Sequence, residues 1–507
     1  MQPHIVHFLA DDFGWAHVGW HRNKQPHDNV LTAHDDVSTP NLDALAADGL
    51  ILDRHYAHKI CSPSRCAIQT GRAPIHVNVQ NVLPESVNPK DPIGGYQGIP
   101  LNMSGMAAVL RRGGYRTHLV GKWDVGMATE LHHPKARGYE SFFGYWHHAN
   151  DYWTNVVESC PGNTSSTGRT SSISRHHVAI RDLWRFNASF DGPASDLQNG
   201  VHCSQHSQAP VDEPCVYEEE LLAREAAAII ARHEPSEPLF LFYSSHLIHV
   251  PLQVPVRYEA AFASVRDPFR RIALAMGNFL DDQVGSIVGA LKARGMWETT
   301  LFTFHADNGG EIMGAGLCGG NNWPLTGGKF SNWEGGIRVN AFVAGGALPV
   351  ARRGATESAL TAVWDWLATY AFLAGVDPTD HAAAAAGLPP IDSANLWPLL
   401  SQGSDLHTAP PRSEVVIGET TALSPNGDGR TLVGGLLQQE GPHGGGEVAT
   451  GGQKLYKLLL GAPDRKFTID QYVRTGPSWP NTSSRLVPLS HFKMCGRDAV
   501  SGCLFEL

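Results

Sequence analysis

The chain of 507 residues carries 39 Lys and Arg against 49 Asp and Glu, a formal net charge of −10, with 42% hydrophobic and 17% charged residues. This composition excludes a disordered or coiled-coil chain and leaves material for a large core, in roughly two to four domains or in one large α/β domain with an appendage. A net acidic chain attracts nucleic acid or anionic membrane poorly, so no nucleic acid partner is expected and an anionic substrate must be met by a local cluster of cations. The longest apolar runs, such as 238–243, fall far short of the ~20 residues that span a bilayer, and no membrane span is expected.

Short apolar runs rich in branched and aromatic residues alternate with helical patterns, the rhythm of βαβ units around a parallel sheet. Residues 4–10 read as a strand that ends in Asp11-Asp12. Residues 41–49 read as a helix opened by Thr39-Pro40 and stopped by Gly49. A helix over 104–112 ends at Gly113-Gly114, and a strand over 117–120 runs into Gly121-Lys122-Trp123-Asp124. Residues 155–215, rich in Ser, Thr, Asn, His and Cys, read as a long surface excursion. Helix 217–233 precedes strand 239–244, helix 269–294 precedes strand 300–305, and a further helix spans 356–374. Beyond it, 414–421 and 454–461 read as strands of a smaller sheet separated by the Gly-rich 424–452. The boundary is set near 405, dividing the chain into 1–405 and a smaller α+β domain over 406–507.

Each strand of the first domain ends in polar residues, and open parallel sheets bind ligands beyond the carboxyl ends of their strands. Asp11, Asp12, Lys122, His249, Asp307 and Asn308 are therefore expected to converge on one site. Hard oxygen ligands of this kind suit Ca²⁺ or Mg²⁺ better than zinc.

Residues 1–10 carry no visible secretory signal. Eight Cys nevertheless point to an oxidising compartment, with Cys160 and Cys203 or Cys215, and Cys495 and Cys503, as candidate pairs whose connectivity stays open. Sequons at Asn102, Asn163, Asn187 and Asn481 are compatible with glycosylation.

The most informative segment is Cys61-Ser62-Pro63-Ser64-Arg65, with Thr70-Gly71-Arg72 shortly after it. It resembles the C-x-P-S-R signature of the type I sulfatases, whose Cys is oxidised to formylglycine. Five further stretches agree in order and separation: Asp11-Asp12-Phe13-Gly14, Gly121-Lys122-Trp123, Ile248-His249-Val250-Pro251, Asp307-Asn308-Gly309-Gly310, and Asn321-Asn322-Trp323-Pro324 with Lys329 and Trp333-Glu334-Gly335-Gly336. The resemblance runs from about residue 3 to the end and is greatest to the arylsulfatase B branch.

It implies an alkaline-phosphatase-like mixed, mainly parallel sheet flanked by helices, with a C-terminal antiparallel sheet. It also implies hydrolysis of an aryl sulfate or sulfated glycan, N-acetylgalactosamine 4-sulfate among the candidates. Asp11, Asp12, Asp307 and Asn308 would hold one Ca²⁺ that also binds the converted Cys61. Lys122, Lys329 and Arg65 would screen the sulfate, and His249 would protonate the leaving alcohol. Arg65, one helical turn from position 61, is placed to act on it. A formylglycine-generating enzyme is the implied maturation partner, and the secretory pathway, lysosomal or extracellular, the implied location. Met1 directly before the first strand and the stop at 503–507 suggest a sequence truncated at both ends. The aromatic stretch 145–153 is a candidate rim for the sugar or aryl group.

Three positions depart from the family pattern. Asp124 stands where the family usually has a His that contacts the hydrated formylglycine and helps to release sulfate. A carboxylate there could take the same proton, but two unit charges about 4 Å apart repel by about 4 kcal/mol at an effective dielectric near 20, about three decades in rate if uncompensated. Cys66 adds a second thiol that could bridge to Cys61, and Gln69 replaces the usual Leu. These departures leave two alternatives: an impaired relative that binds sulfated glycan, and a phosphoesterase of the same superfamily.

Overall fold

The computed structural model describes residues 2–22, 36–82, 98–159, 178–195, 215–312, 318–404, 410–423, 430–439, 454–460, 475 and 503–507. In chain order the elements that build the core begin with β1 (His4–Ala10), α1 (Pro40–Asp48), β2 (Leu50–Leu52), α2 (Cys61–Thr70), α3 (Met106–Arg112), β3 (Arg116–Lys122) and β4 (Ser141–Tyr145). Then come β5 (Trp184–Phe186), β6 (Asp191–Pro193), α4 (Glu218–Arg232), β7 (Leu239–Ser244), α5 (Pro268–Ala293), β8 (Thr300–Ala306), β9 (Ala341–Ala344), β10 (Ala355–Glu357) and α6 (Trp366–Ala374).

The large sheet has the order β10-β2-β9-β8-β1-β7-β3-β4-β5-β6. Its centre, β8-β1-β7-β3-β4, is parallel throughout. Strands β9 and β5 join its two sides antiparallel. The central strands β1, β7 and β8 are buried at every position, so they read as mainly apolar runs with no polar face, the His7, Thr303 and His305 side chains being buried with the rest. Helix α5 covers the sheet with a long apolar stripe from Ala273 to Leu291, opened by Pro268 and by the Asp267 carboxylate, which accepts from the Arg270 amide.

Helix α2 is unusual in being buried over all ten residues. Pro63 falls in its first turn, where no intrahelical donor is lost, and the chain leaves it at Gly71 with φ +65°, the Gly71 amide donating to the Ala67 carbonyl at 2.9 Å. Its first residue is Cys61.

A smaller antiparallel sheet, β11 (Glu414–Leu423), β12 (Arg430–Gln439), β13 (Leu455–Leu460) and β14 (Cys503–Glu506), packs against the loop between β8 and β9. Lys457 Nζ donates to Glu334 Oε1 at 2.8 Å and Asn332 Nδ2 to the Gly418 carbonyl at 3.1 Å. The boundary expected near 405 falls on 405–409, outside the described residues.

Three sequence expectations change. The helix expected over 356–374 starts at 366, because 355–357 pair with β2 and 361–362 with His55–Tyr56. The Gly-rich 424–452 holds β12, whose branched Thr431, Leu432 and Val433 lead into the register with β11. The excursion 155–215 is not wholly peripheral, since β5 and β6 extend the large sheet at its edge. Cys160, Cys203 and Cys495 lie outside the described residues, while Cys215 is disulfide-bonded.

Gly121 lies near the end of β3 at φ +104°, and a Cβ built there would lie 1.9 Å from the Ser244 carbonyl oxygen of the neighbouring strand. Gly121→Ala combines a left-handed backbone with a clash against a rigid strand. We expect it to destabilise the fold by about 2–4 kcal/mol, read as a lower urea midpoint at unchanged m-value.

Candidate active site

The five parallel strands end level with one another: Ala10 pairs with Ala306, Leu9 with Ser244, Ser244 with Gly121, and Lys122 with Tyr145. Polar residues stand at or just past each end: Asp11-Asp12 after β1, Lys122 and Asp124 at β3, His147-His148 after β4, His246 and His249 after β7, and Asp307-Asn308 after β8. Helix α2 points its first turn into this ring. Cys61 Sγ lies 3.5 Å from Asp11 Oδ1 and 4.0 Å from Asp12 Oδ1. Asp12 and Asp124 both adopt left-handed backbone, at φ 53° and 51°, a conformation that costs a non-glycine residue about 1–2 kcal/mol and collects at functional sites.

Each cation in the ring is clamped to a carboxylate. Lys122 Nζ donates to Asp11 Oδ2 at 2.7 Å, and Lys329 Nζ to Asp12 Oδ2 at 2.7 Å. Arg65 donates from Nε to Asp307 Oδ2 at 2.9 Å, has a terminal nitrogen 2.8 Å from the same oxygen, and donates from its other terminal nitrogen to Ser244 Oγ at 2.6 Å. The terminal nitrogen nearest Asp307 also lies 3.5 Å from Asp11 Oδ1, the oxygen beside Cys61 Sγ, so the guanidinium charge stands inside the ring. Asp307 Oδ1 accepts from the Asp12 amide at 3.2 Å, and Asn308 Nδ2 donates to Asp12 Oδ1 at 2.7 Å. His249 Nδ1 donates to the Val250 carbonyl at 2.6 Å, and its Nε2 stands 3.7 Å from Asp12 Oδ2. All ten residues singled out from the sequence are buried together.

Burial raises the Cys61 thiol well above its ordinary value; Lys122 and Lys329 oppose this and Asp307 and Asp11 add to it. A thiol so placed is a poor nucleophile. Burial also works to raise Asp11, but Lys122 and Arg65 overcome it and hold the carboxyl well below its usual range. Asp307 is pushed up to about 7 by burial and by the neighbouring Asp11 charge. Asp124 is held low: burial pushes it up, and Lys122, then His148, more than reverse that.

The four aspartates Asp11, Asp12, Asp124 and Asp307 face the three fixed cations Arg65, Lys122 and Lys329, so the ring is short of positive charge. A divalent ion turns that deficit into an excess. The donors fit one. Asn308 Oδ1 is buried with no hydrogen-bond partner although its Nδ2 makes two, and Asp11, Asp12 and Asp307 supply hard anionic oxygens beside it. Carboxylate and sulfur atoms of Asp11, Asp12 and Cys61 and a His249 nitrogen lie within 4.8 Å of one another.

The departures from the family pattern resolve in part. Cys61 and Cys66 are both free thiols. They stand five residues apart on α2, roughly 140° around the helix, which keeps a bridge from forming, and Cys66 Sγ accepts from Asn78 Nδ2 at 3.7 Å instead. Gln69 Oε1 accepts from the Tyr139 hydroxyl at 3.0 Å in the core. His148, which sequence reasoning does not single out within 145–153, has a ring nitrogen within 4.8 Å of Cys61 and His249 ligand atoms. A signal for it exists: it lies three residues past the carboxyl end of a parallel strand.

A mainly parallel sheet of this order, with helices on its faces and a small antiparallel sheet behind, is the alkaline-phosphatase-like α/β fold. The chain belongs to the sulfatase family, whose model, described as Sulfatase, matches residues 3–376. It is 31% identical over 402 residues to arylsulfatase J of Mus musculus, covering 79% of this chain and 56% of that protein. It is 27% identical over 406 residues to N-acetylgalactosamine-6-sulfatase of Homo sapiens, covering 79% of this chain and 66% of that one. The chain thus spans between about half and two thirds of these relatives' length. Among solved structures, Ps i-CgsB superposes with a TM-score of 0.65 at 24% identity over 90% of this chain and 86% of that one, and has also been solved in complex with k-i-k-neocarrahexaose.

Proposed function

We propose that the chain hydrolyses sulfate esters through an oxygen nucleophile made from Cys61, with an aryl sulfate or a sulfated glycan as substrate. The observation that carries this reading is the position of Cys61: first residue of a buried helix, within 4.0 Å of two aspartates that are each clamped by a buried lysine. Its raised thiol pKa suits a residue that is converted before it acts. Conversion by a formylglycine-generating enzyme replaces sulfur with oxygen, and Ca²⁺ held by Asp11, Asp12, Asp307 and Asn308 would lower the pKa of an oxygen bound to it and offset the charge of the ester.

The chain's own residues do the rest. Lys122 and Lys329 present fixed positive charge where an anionic ester must sit, in a buried site where such charge acts strongly. Arg65 orients Asp307 and Asp11. His249 holds its Nδ1 toward Val250 and leaves Nε2, buried and without a hydrogen-bond partner, for the leaving oxygen. Burial and then Lys329 keep this imidazole neutral at rest, and the charge of an arriving sulfate opposes Lys329 and favours its protonation.

Beside this ring lies a cavity of about 890 Å³ lined by Trp146, Trp184, His133 and His147, with Lys135 and Asp191 among its polar groups. Trp146 and His147 directly precede His148, so one loop serves both places. Aromatic faces with a few polar groups suit a sugar or aryl ring. The alternative of an impaired sulfatase that only binds is disfavoured by Asp124, whose charge is met by Lys122 at 3.5 Å and by the Ser62 hydroxyl at 2.7 Å. A secretory location is supported by the Cys215 disulfide. No helix of the described residues is long and apolar enough to cross a membrane.

The test is turnover of an aryl sulfate by protein co-expressed with a formylglycine-generating enzyme, before and after a calcium chelator. Activity is expected to fall by at least about tenfold on chelation and to return on adding Ca²⁺. Turnover indifferent to chelation would remove the metal from this account, and absence of turnover with every sulfate ester tried would remove the activity.

A further inference from the structure

Among the described residues, the buried polar atoms near Cys61 that lack a hydrogen-bond partner include Asp124 Oδ2, His148 Nδ1 and His249 Nε2. Two of them face each other, since His148 Nδ1 lies 3.5 Å from Asp124 Oδ2. Asp124 is itself fixed: Ser62 Oγ, in the residue next to Cys61, donates to its Oδ1 at 2.7 Å while accepting from the Val82 amide at 2.9 Å, and Lys122 Nζ lies 3.5 Å from its Oδ2. The His148 and His249 rings stand perpendicular with centroids 5.1 Å apart, so the two imidazoles do not stack and can present nitrogens to different parts of one ligand.

We propose that His148, positioned by Asp124, is the hydrogen-bond partner and proton acceptor of the oxygen at residue 61, while His249 serves the leaving group. This rests on the sulfatase reading and extends it to a residue outside that reading's set. A carboxylate behind an imidazole selects the tautomer that carries its proton on Nδ1, leaving the Nε2 lone pair for the reacting side. The step is a single proton transfer: the O–H bond at residue 61 breaks, its proton moves to His148 Nε2, and the resulting imidazolium is balanced by the Asp124 carboxylate. The charge that Asp124 brings near the sulfate site is thereby given a use, since it faces a ring that becomes cationic during the step.

Two measurements test this. The first needs no activity: nitrogen-15 NMR of histidine-labelled protein with unconverted Cys61, the His148 signal being identified by its loss in His148→Gln. The proton is expected on Nδ1 and is expected to redistribute in Asp124→Ala; a proton on Nε2, or indifference to Asp124→Ala, would overturn the pairing. The second is kinetic, in converted protein. His148→Ala is expected to lower kcat by about 10²–10⁴-fold with a smaller change in KM. Adding Asp124→His to His148→Ala should recover part of the loss by returning an imidazole from the other side. Full activity of His148→Ala, or no recovery in the double variant, would contradict the assignment. If wild-type protein is inactive while the NMR result holds, the sulfatase reading fails and the Asp124–His148 pair stands as structure alone.

Discussion

Cys61→Ala is expected to reduce aryl sulfate turnover by about five decades or more while the protein stays folded. Removing a nucleophile that acts as one unit with its partners removes nearly all of their joint effect, as the catalytic-triad variants of other hydrolases show. The residue is fully buried at the start of α2, but alanine keeps the helix and loses one sulfur atom's packing, so the stability cost should stay near about 1 kcal/mol. Circular dichroism and thermal melting should match the parent closely, and kcat with an aryl sulfate should not be measurable. A variant retaining more than about one hundredth of the parent turnover would place the nucleophile elsewhere.

Lys329→Ala and Lys122→Ala are expected to damage both stability and activity, and the division between the two is informative. Each lysine is almost fully buried and donates to one aspartate at 2.7 Å. Truncating one member of a buried ion pair strands its partner, at a cost of about 3–5 kcal/mol. The pKa directions agree: burial alone would lower both lysines, yet Asp11 raises Lys122 and Asp12 raises Lys329. Calcium offers a way to separate the roles, because a divalent ion on the same aspartates offsets the stranded charge. In saturating Ca²⁺ much of the lost stability should return, whereas kcat/KM for a sulfate ester should remain at least about a hundredfold down, since the ester has lost a fixed countercharge. Recovery of both together would make these lysines structural only. Unchanged activity in Lys329→Ala would count against the whole assignment of the site.

Much of this arrangement is legible in the sequence, for a definite physical reason. Buried parallel strands are mainly apolar runs, so 4–10, 239–244 and 300–305 announce themselves, and the acidic and amide residues that follow them fall at the carboxyl edge where ligands bind. That rule alone brings Asp11, Asp12, Lys122, His249, Asp307 and Asn308 together. Cys61, Arg65 and Lys329 need the family resemblance, because they sit on a helix and a loop whose approach to the sheet is set by tertiary packing. His148 escapes because it lies past β4, where Ser141-Phe142-Phe143-Gly144-Tyr145 is short and interrupted by glycine and carries a weak strand signal. The short strand at 355–357 is absorbed into a helix reading because Ala, Glu and Leu recur in the window, and only its pairing with β2 decides the matter. Within 424–452, glycines at both ends of the window conceal the apolar run of β12. The double commitment of Arg65 to Asp307 is equally out of reach, since helical spacing fixes where a guanidinium starts and not which carboxylate it meets.

The most direct test of the central claim is the mass of the peptide containing residue 61, measured across preparations that differ in the amount of formylglycine-generating enzyme and set against aryl sulfate turnover of the same samples. Conversion exchanges the sulfur and two hydrogens for one oxygen. Turnover per mole is expected to rise in proportion to the converted fraction and to vanish where Cys61 is unmodified. Full turnover from unmodified Cys61, or fully converted protein without activity toward any sulfate ester, would contradict it.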